Sequence, residues 1–197
     1  MATRYLTVAS LKLYVRSEIT TVDDVFYDEA IQAAESWLDG QCHRRIIVAS
    51  ATSARSYNPP VGASRYLYIH DCTAITSITE NGSALASGTA FQAEPLNALS
   101  DEGEAWPYYR IVKPYTRWFS TTNLASIVVT ATWGWPAIPP MILEACKIVA
   151  KDYFLQRDVA HGVIGITEVG GVGTRENRLV QDAVARYMRT DKIGLAA

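Results

Sequence analysis

The sequence has few of the residues that metal proteins depend on. Its 197 residues include three cysteines and three histidines. Cys42-His43 and His70-Asp71-Cys72 are the only clusters of such residues, and neither has the paired spacing of a structural zinc site. An odd number of widely spaced cysteines also argues against a disulfide framework and favours a reducing cytosol. We therefore expect no metal and no cofactor.

Catalytic motifs are lacking as well. There is no G-x-S-x-G nucleophile elbow, and the Gly-rich stretch at 161–173 lacks the Gly-Lys-Ser/Thr ending of a phosphate loop. The sequence therefore predicts a protein that is not an enzyme. An uncharacterised enzyme with a pocket behind Trp133-Gly134-Trp135 is a weaker hypothesis, because it needs a convergent polar group that the sequence does not show.

Charge and long apolar runs are also scarce. Charged residues make up 19% of the chain and the formal net charge is −2, so no basic excess indicates nucleic-acid binding. No apolar run approaches the length of a membrane span, and residues 1–10 lack the apolar core of a signal peptide. We expect a protein that is made in the cytoplasm and does not enter a membrane. Aromatics are plentiful, with five Trp and eleven Tyr, and an aromatic surface of low charge is typical of interaction surfaces.

The most informative stretch is 126–157, which joins two halves of different character. It begins with a β-branched run at 127–130, followed by an aromatic turn at Trp133-Gly134-Trp135. Apolar residues then recur at helical spacing, and Pro139 and Pro140 suit a helix entrance because the missing N–H costs nothing there. A strand, a tight turn and an amphipathic helix are predicted.

Two further helices are predicted before residue 46. Thr7 could cap a short helix, although the alternating Leu11-Lys12-Leu13-Tyr14-Val15 could equally form a strand. The second helix would be capped by Thr21, with Asp24 in its first turn, and would end at Gly40. The apolar stripe of this second helix and that of the helix after Pro140 are predicted to pack against each other and form a core. Its members are Val25, Phe26, Trp37, Ile142, Cys146 and Val149.

Strand-like patterns occupy the middle of the chain. The candidate strands are 46–48, 66–69, 75–79, 90–92, 108–112 and 127–132. Asn81-Gly82 predicts a hairpin turn because both residues tolerate positive φ. The predicted fold class is α+β, with a helical core of three to four helices, an inserted antiparallel β region, and a Gly-rich C-terminal arm followed by a helix.

The predicted organisation is one globular unit with an arm. Residues 1–45 form the N-terminal part of the helical core, 46–132 the β region, 133–160 the central core helix, and 161–197 the arm and last helix. Glycines should leave the arm, 162–173, mobile until its β-branched residues pair with another strand. Thr174 should cap the last helix, and Arg186 and Arg189 lie near its end.

Three blocks together carry a family resemblance. They are TVASLKLYVRSEITTVDDVFYDEAIQAAESWLDGQCHRRI, RYLYIHDCTAITSITENGSAL and SIVVTATWGWPAIPPMILEACKIVAKDYFLQRD. With these three blocks in this order, the chain resembles the head-to-tail connector (adaptor) proteins of tailed bacteriophages. The Gly-rich arm and a final helix ending in Ala185-Arg186-Tyr187 also fit that family.

The resemblance implies a structural virion protein without catalysis. It implies a dodecameric ring in the head-tail neck, below the portal, that links the DNA-filled capsid to the tail and lets double-stranded DNA pass. The implied partners are further copies of the chain, the portal protein, and a tail-side stopper or tail terminator protein. Contacts with the portal or a neighbour are assigned to Arg44, Arg45, Val163, Ile164, Ile166, Val169, Arg186, Tyr187 and Arg189.

A second hypothesis comes from another functional class. His43-Arg44-Arg45 and the arginines near the C-terminus could contact phosphates in a nucleic-acid-binding or regulatory phage protein. A salt-dependent affinity for DNA would favour this hypothesis, and its absence would favour the connector.

Overall fold

A computed structural model describes residues 5–16, 23–60, 64–118, 124–156 and 177–189. The Gly-rich stretch 161–173, together with Thr21 and Thr174, lies outside these residues. The described chain falls into two units. A helical unit contains the residues up to 45 and those from 138 to 189, and a sheet unit contains residues 46–137. The predicted α+β class is confirmed.

Four helices and six strands are formed by the described residues. The helices are α1 (Val8–Val15), α2 (Asp24–Cys42), α3 (Pro140–Gln156) and α4 (Arg178–Tyr187). The strands are β1 (Thr52–Tyr57), β2 (Tyr66–Glu80), β3 (Ser83–Ala84), β4 (Gln92–Glu94), β5 (Tyr108–Val112) and β6 (Ile127–Trp133). A short 3-10 turn spans Leu96–Ala98.

The helix boundaries follow local capping chemistry. Thr7 Oγ1 accepts a hydrogen bond from the Ser10 amide at 3.2 Å, so the first apolar segment is a helix and not a strand. Helix α3 begins at Pro140, as the sequence predicts. The predicted ends of α2 are wrong: Asp23 is the N-cap, and the helix continues through Gly40 to Cys42. His43 adopts the left-handed conformation (φ 51°) that ends the helix, so a glycine is not needed there.

The helical unit is built around α2 and α3. Tyr27 of α2 stacks on Phe154 of α3 with ring centroids 4.0 Å apart. Lys12 of α1, itself buried, forms an ion pair with Asp24 at the start of α2. Both helices bury a set of mainly apolar side chains. The buried residues are Tyr27, Ala30, Ile31, Ala34, Leu38 and Cys42 of α2 and Ile142, Ala145, Cys146, Val149, Ala150 and Phe154 of α3.

Part of the predicted core is therefore wrong. Ile142, Cys146 and Val149 are buried, but Val25 and Phe26 are 65% and 45% exposed in the single chain. Trp37 is half-buried. The reason is geometric: the buried face of α2 is centred on Tyr27 and Ala34, and Phe26 and Trp37 lie on one flank of it.

The sheet unit is a six-stranded antiparallel sheet. Its strand order is β1-β6-β2-β5-β4, with β3 paired to β2. The strands predicted at 66–69 and 75–79 are one strand, β2, whose pairing with β6 shifts between Cys72 and Ala74 and again between Ile75 and Ser77. Such bulges let a long strand bend without ending. Residues 46–48 form no strand, apart from a bridge between Val48 and Trp135.

Turn chemistry fixes the β2–β3 hairpin. Asn81 and Gly82 both have positive φ, 51° and 81°, as the predicted tight turn requires. The hairpin is short, because β3 contains only Ser83 and Ala84. One face of the sheet buries the apolar side chains. This core includes Leu67, Ile69, Cys72, Ile78, Phe91, Ile111, Trp118, Ile127, Val129, Ala131 and Trp133.

Candidate interaction surfaces

The aromatic turn of the sheet unit makes close contacts with neighbouring side chains and backbone. The buried Trp135 donates a hydrogen bond from its indole Nε1 to Asp71 Oδ2 at 2.9 Å. Trp106 packs edge-on against Trp135, with ring centroids 4.8 Å apart. A side chain at Gly134 would approach the backbone oxygen of Ile47 to 2.7 Å. The residues of the turn are therefore held by close packing and by one hydrogen bond to Asp71.

The three cysteines offer no reactive thiolate. Burial is the main cause that raises the pKa of Cys42 to about 12, with Arg44 opposing and Asp39 adding to the shift. Burial likewise raises the pKa of Cys72 to about 12 and raises that of Cys146 further. Each thiol is therefore protonated near neutral pH and is a poor nucleophile.

Metal sites and membrane spans are both absent from the described residues. Within residues 5–16, 23–60, 64–118, 124–156 and 177–189, no group of three or more His, Cys, Asp and Glu side chains could hold a metal ion. In the same part of the chain, no helix is both long and apolar enough to cross a membrane.

The arginines that follow α2 occupy different environments. Arg44 is half-buried, its amide donates a hydrogen bond to the Asp39 carbonyl at 3.3 Å, and its charge lowers the pKa of Cys42. Arg45 is exposed. Both follow the C-terminal end of α2, where basic side chains are favoured by the helix dipole. Of the two, Arg45 is the more exposed.

The end of α4 differs from the prediction. Tyr187 and Arg189, assigned to intermolecular contacts, are 2% and 5% exposed. Tyr187 lies on the buried stripe of α4 with Val180 and Ala183, and the Arg189 amide donates to the Cys42 carbonyl at 2.8 Å. These two residues therefore belong to the packing of the helical unit. Arg186 is half-buried, with its guanidinium 5.8 Å from the Tyr187 ring centre.

The remaining predicted contact residues cannot be placed. Val163, Ile164, Ile166 and Val169 lie outside the described residues. Their assignment to a neighbour or the portal stays a prediction.

The helical unit exposes an apolar flank that the sequence pattern assigned to the core. Phe26, Ala33 and Trp37 follow one another along α2 at i, i+7 and i+11, so they form a single stripe about 16 Å long. Two grooves lie along this stripe, which we call the α2 flank. Both grooves are open to solvent and are lined mainly, though not entirely, by apolar side chains.

The grooves differ in their second wall. The first, of about 220 Å³, lies between Phe26 and Ala33 on one side and Tyr153 and Phe154 of α3 on the other, with Glu29 also in its lining. The second, of about 610 Å³, lies between Trp37 and α4, whose Val184 and Met188 line it. Each end of the α2 flank therefore borders a groove whose other wall is a second helix, α3 in the first groove and α4 in the second.

Known structures share this architecture over nearly the whole chain. A chain in the neck of an empty GTA particle, computed with C6 symmetry, superposes with a TM-score of 0.56 at 13% identity, covering 96% of this chain and 92% of that one. A chain in the neck of a native GTA particle, computed with C12 symmetry, gives 0.53 at 12% identity and covers 98% of both. The chain has the fold of a gene transfer agent neck protein. A chain from the virion of the native gene transfer agent particle gives 0.51 at 15% identity, covering 98% and 95%.

The likeness is one of fold and not of sequence. At 12–15% identity it transfers no residue roles. No protein-family model matches the chain, and no curated protein matches it.

One signal in the sequence could have revealed the α2 flank. Apolar residues of α2 extend from Ile31, on one side of the buried face, through Tyr27 and Ala34 to Trp37 and Phe26 on the other. This arc is about 140° wide, and its edge at Phe26 and Trp37 is less buried than its centre at Tyr27 and Ala34. An apolar arc wider than one packing face indicates a second partner.

Proposed function

We propose that the protein is a structural component of a virion neck, a head-to-tail connector that forms a ring below the portal. In this role it joins the DNA-filled capsid to the tail and leaves a passage for double-stranded DNA. It is made in the host cytoplasm and has no catalytic activity. Its partners are its own copies, the portal protein and a tail-side stopper or terminator.

One observation carries this proposal. The fold likeness to neck proteins spans 98% of both chains in one comparison, so it concerns the whole chain and not a common subdomain. The two neck structures were computed with sixfold and twelvefold symmetry, which supports a ring of twelve subunits here. A ring requires two different complementary surfaces on each subunit.

The physical character of the chain supports the same role. A formal charge of −2 suits a wall past which DNA must slide, because every phosphate neutralised adds affinity. Protonated thiols give no support to catalysis by a cysteine nucleophile. Exposed apolar side chains on α2 support a protein that works in an assembly.

The contacts with the portal or a neighbour are proposed at two places. Arg44, Arg45 and Arg186 supply charge for carboxylates on another subunit. The segment that contains Val163, Ile164, Ile166 and Val169 would add a strand to a neighbouring sheet, since β-branched residues favour pairing. Both assignments are carried over from the sequence.

The test of the function is removal of the gene from the phage that carries it. We expect filled or leaking heads without attached tails, and restoration of joined particles when the protein is supplied. Normal tailed particles in its absence would contradict the proposal. A second measurement mixes purified protein with the portal ring and follows the mass of the complex. Arg44→Ala with Arg45→Ala should weaken that complex, and Arg178→Ala, which removes an exposed arginine of α4, should not.

The nucleic-acid-binding alternative has less support. Of its basic residues, Arg189 is buried, and Arg44 and Arg186 are half-buried. Phosphate contacts need accessible cations. Arg45 alone among these four arginines is exposed, which is too little charge for a groove that binds DNA.

A further inference from the structure

Strand β1 forms one edge of the six-stranded sheet. It stands first in the strand order, and among the described strands it pairs with β6 alone. Its residues Thr52, Ser53, Ala54 and Ser56 are exposed. Natural proteins commonly protect such an edge with lysine or proline, because its outer row of backbone N–H and C=O groups can pair with another chain. Strand β1 contains neither residue, so its edge is suited to accept a further strand.

The two faces of β1 differ in character. Successive side chains point to opposite faces, so Arg55 and Tyr57 share one face and Ala54 and Ser56 share the other. Tyr57 belongs to the buried core of the sheet, and the Arg55 guanidinium lies 4.3 Å from the ring centre of Trp133. Arg55 is the only charged residue of β1. It takes part in no ion pair with another described residue.

One carbonyl of β1 already has a side-chain donor. The Trp133 indole donates from Nε1 to the Ser53 carbonyl at 2.9 Å. A carbonyl oxygen has two lone pairs, so it can accept a second hydrogen bond from an added strand. The contact with Trp133 is therefore compatible with a neighbour at this edge.

The Gly-rich arm has a sequence that matches β1. Residues 157–176 connect α3 to α4, and they contain VIGITEV at 163–169. In an extended strand, Ile164, Ile166 and Glu168 would share one face. Glu168 is the only charged residue of the arm, 162–173. The arm and β1 thus carry one charge each, and the two charges have opposite signs.

We propose that residues 164–169 of one subunit pair antiparallel with β1 of the next subunit in the ring. Ile166 lies opposite Arg55, which places Ile164 opposite Tyr57 and Glu168 opposite Ser53. This inference rests on the proposed ring and identifies both an accepting edge and the segment that occupies it. A donated strand and an accepting edge are two different complementary surfaces on each subunit, as a closed ring requires.

Side-chain pairing selects this direction and register. The named strands of the sheet all pair antiparallel. Ile164 beside the buried Tyr57 extends the apolar core, whereas a parallel strand with Ile166 opposite Arg55 would place Glu168 there. In the antiparallel register Glu168 is diagonal to Arg55, a distance that two long side chains can bridge. The carboxylate then lies near the guanidinium, and opposite charges favour the contact.

The connection is long enough to reach another subunit. Helices α3 and α4 both belong to the helical unit, so the segment between them leaves this unit and returns to it. The chain from Gln156 to Ile166 spans about 35 Å when extended. That is slightly more than the diameter of a small domain, about 30 Å.

Charge disfavours a second copy of β1 as the occupant. If two β1 edges paired about a twofold axis with their faces aligned, the two Arg55 side chains would lie opposite or diagonal to each other. Like charges in these positions destabilise a strand pair. A twofold contact would also close with two copies and would not build a ring.

The first test is covalent. The three native thiols are buried, and burial raises the pKa of each, so introduced surface thiols should react first. Ala54→Cys with Thr167→Cys places thiols at opposed positions of the proposed pair, at a spacing that a disulfide can bridge. Mild oxidation of the assembled ring should give a ladder of linked subunits. A monomer linked within itself would show that each arm pairs with its own chain, which would overturn the proposal.

Matched variants control the covalent test. Ala54→Cys with Gly171→Cys moves the second thiol along the arm by about 13 Å in an extended strand, and this variant should stay unlinked. Ala54→Cys alone should also stay unlinked, since linked dimers would show that two β1 edges pair with each other. The single variants Ala54→Cys and Thr167→Cys, mixed before assembly, should give linked dimers and nothing larger.

The second test exchanges the two charges. Arg55→Glu and Glu168→Arg should each weaken self-association by about tenfold in sedimentation velocity, because both strands then carry the same sign. The two substitutions combined restore opposite charges and should recover most of the loss. Recovery separates a contact between the strands from damage to the Arg55–Trp133 contact, which the exchange does not repair. Arg178→Glu, which reverses an exposed charge of α4, is the control and should assemble like the unchanged protein.

Three further outcomes would overturn the inference. They are an assembled ring that gives no ladder, a charge-exchanged variant that assembles no better than the single variants, and an unmodified protein that is monomeric at every concentration and on the portal. The neck function is tested separately by the gene removal. Tailless particles in that experiment, together with rings that stay unlinked, would leave the function standing and refute only this contact.

Discussion

Lys113 forms an ion pair with Glu80 in the interior of the sheet unit, where the two side chains are only 4% and 11% exposed. The Lys113 ammonium also lies 4.4 Å from the ring centre of Trp118, which is fully buried. The pair joins the end of β2 to the residue that follows β5. Because both side chains are largely withdrawn from water, removal of the Glu80 charge would leave the Lys113 ammonium buried without its carboxylate partner.

Glu80→Gln should therefore lower the free energy of unfolding by about 3–5 kcal/mol. Urea denaturation measures the change. The control is Glu144→Gln, which breaks the surface pair with Lys147 on α3, where Glu144 is exposed. That change should cost less than about 1 kcal/mol. Equal effects of the two substitutions would mean that the Lys113 charge is compensated by another group.

Two glycines should respond in opposite directions to the same substitution. Gly134 has φ 125°, and an added Cβ would lie 2.7 Å from the Ile47 oxygen and 2.8 Å from Ala49 Cα, all of it backbone. Gly134→Ala should destabilise the protein by about 3 kcal/mol. Gly40 lies inside α2 with nothing within 4 Å of its added Cβ, so Gly40→Ala should stabilise by about 0.5–1 kcal/mol. Thermal unfolding of both variants checks the two signs, and a stabilising Gly134→Ala would refute the close packing at the turn.

Much of the fold could be predicted wherever a local sequence pattern is enough to determine a helix or a strand. Strand β5 has the predicted bounds. Helix α3 begins at Pro140, because proline fixes φ at a helical value and its missing N–H costs nothing at a helix start. The sequence did not predict strand β1, because Thr52–Tyr57 is mostly polar. This segment is a strand because it pairs with β6, which begins 75 residues further along the chain, at Ile127. Pairing across such a distance leaves no mark on the local pattern.

The candidate surfaces were harder to predict for a related reason. A helix stripe shows which residues avoid water but not which partner covers them. Phe26 and Ile142 carry the same sequence signal, yet Ile142 is fully buried and Phe26 is 45% exposed. Arg189 is the opposite case. An arginine near the C-terminus suggests an exposed side chain, but Arg189 is only 5% exposed and its amide donates to the Cys42 carbonyl.

Alkaline pH should destabilise the protein through its buried thiols. The pKa of Cys42 and of Cys72 is raised from 9.0 to about 12 in the folded chain. Below pH 9 both states keep the proton and the stabilisation is fully present. Between pH 9 and 12 the unfolded chain loses protons that the folded chain keeps, so the free energy of unfolding falls by about 1.4 kcal/mol per pH unit for each thiol.

Stability curves of Cys42→Ala and Cys72→Ala against pH isolate this effect from the titration of tyrosine and lysine. Each variant should show a shallower alkaline slope than the unchanged protein. A slope that is unchanged in both variants would show that the thiols are accessible to water.

The last prediction concerns DNA. A ring that lets a duplex pass should not hold it, because binding to the wall would oppose movement. The net charge of −2 and the burial of Arg189 leave few accessible cations in the predicted basic sites. Since each neutralised phosphate contributes to affinity and to its salt dependence, the isolated protein should bind duplex DNA weakly or not at all at physiological salt.

A titration with duplex DNA at two salt concentrations measures this, with Arg44→Ala, Arg45→Ala as the comparison. Tight binding that falls steeply with salt and disappears in the double variant would contradict a passive wall and favour the nucleic-acid-binding hypothesis. No binding by either protein, together with failure of the double variant to join a portal ring, would assign these arginines to protein contacts. Their charge would then pair with carboxylates of the portal or a neighbour, where desolvated hydrogen-bonded pairs contribute most to specificity.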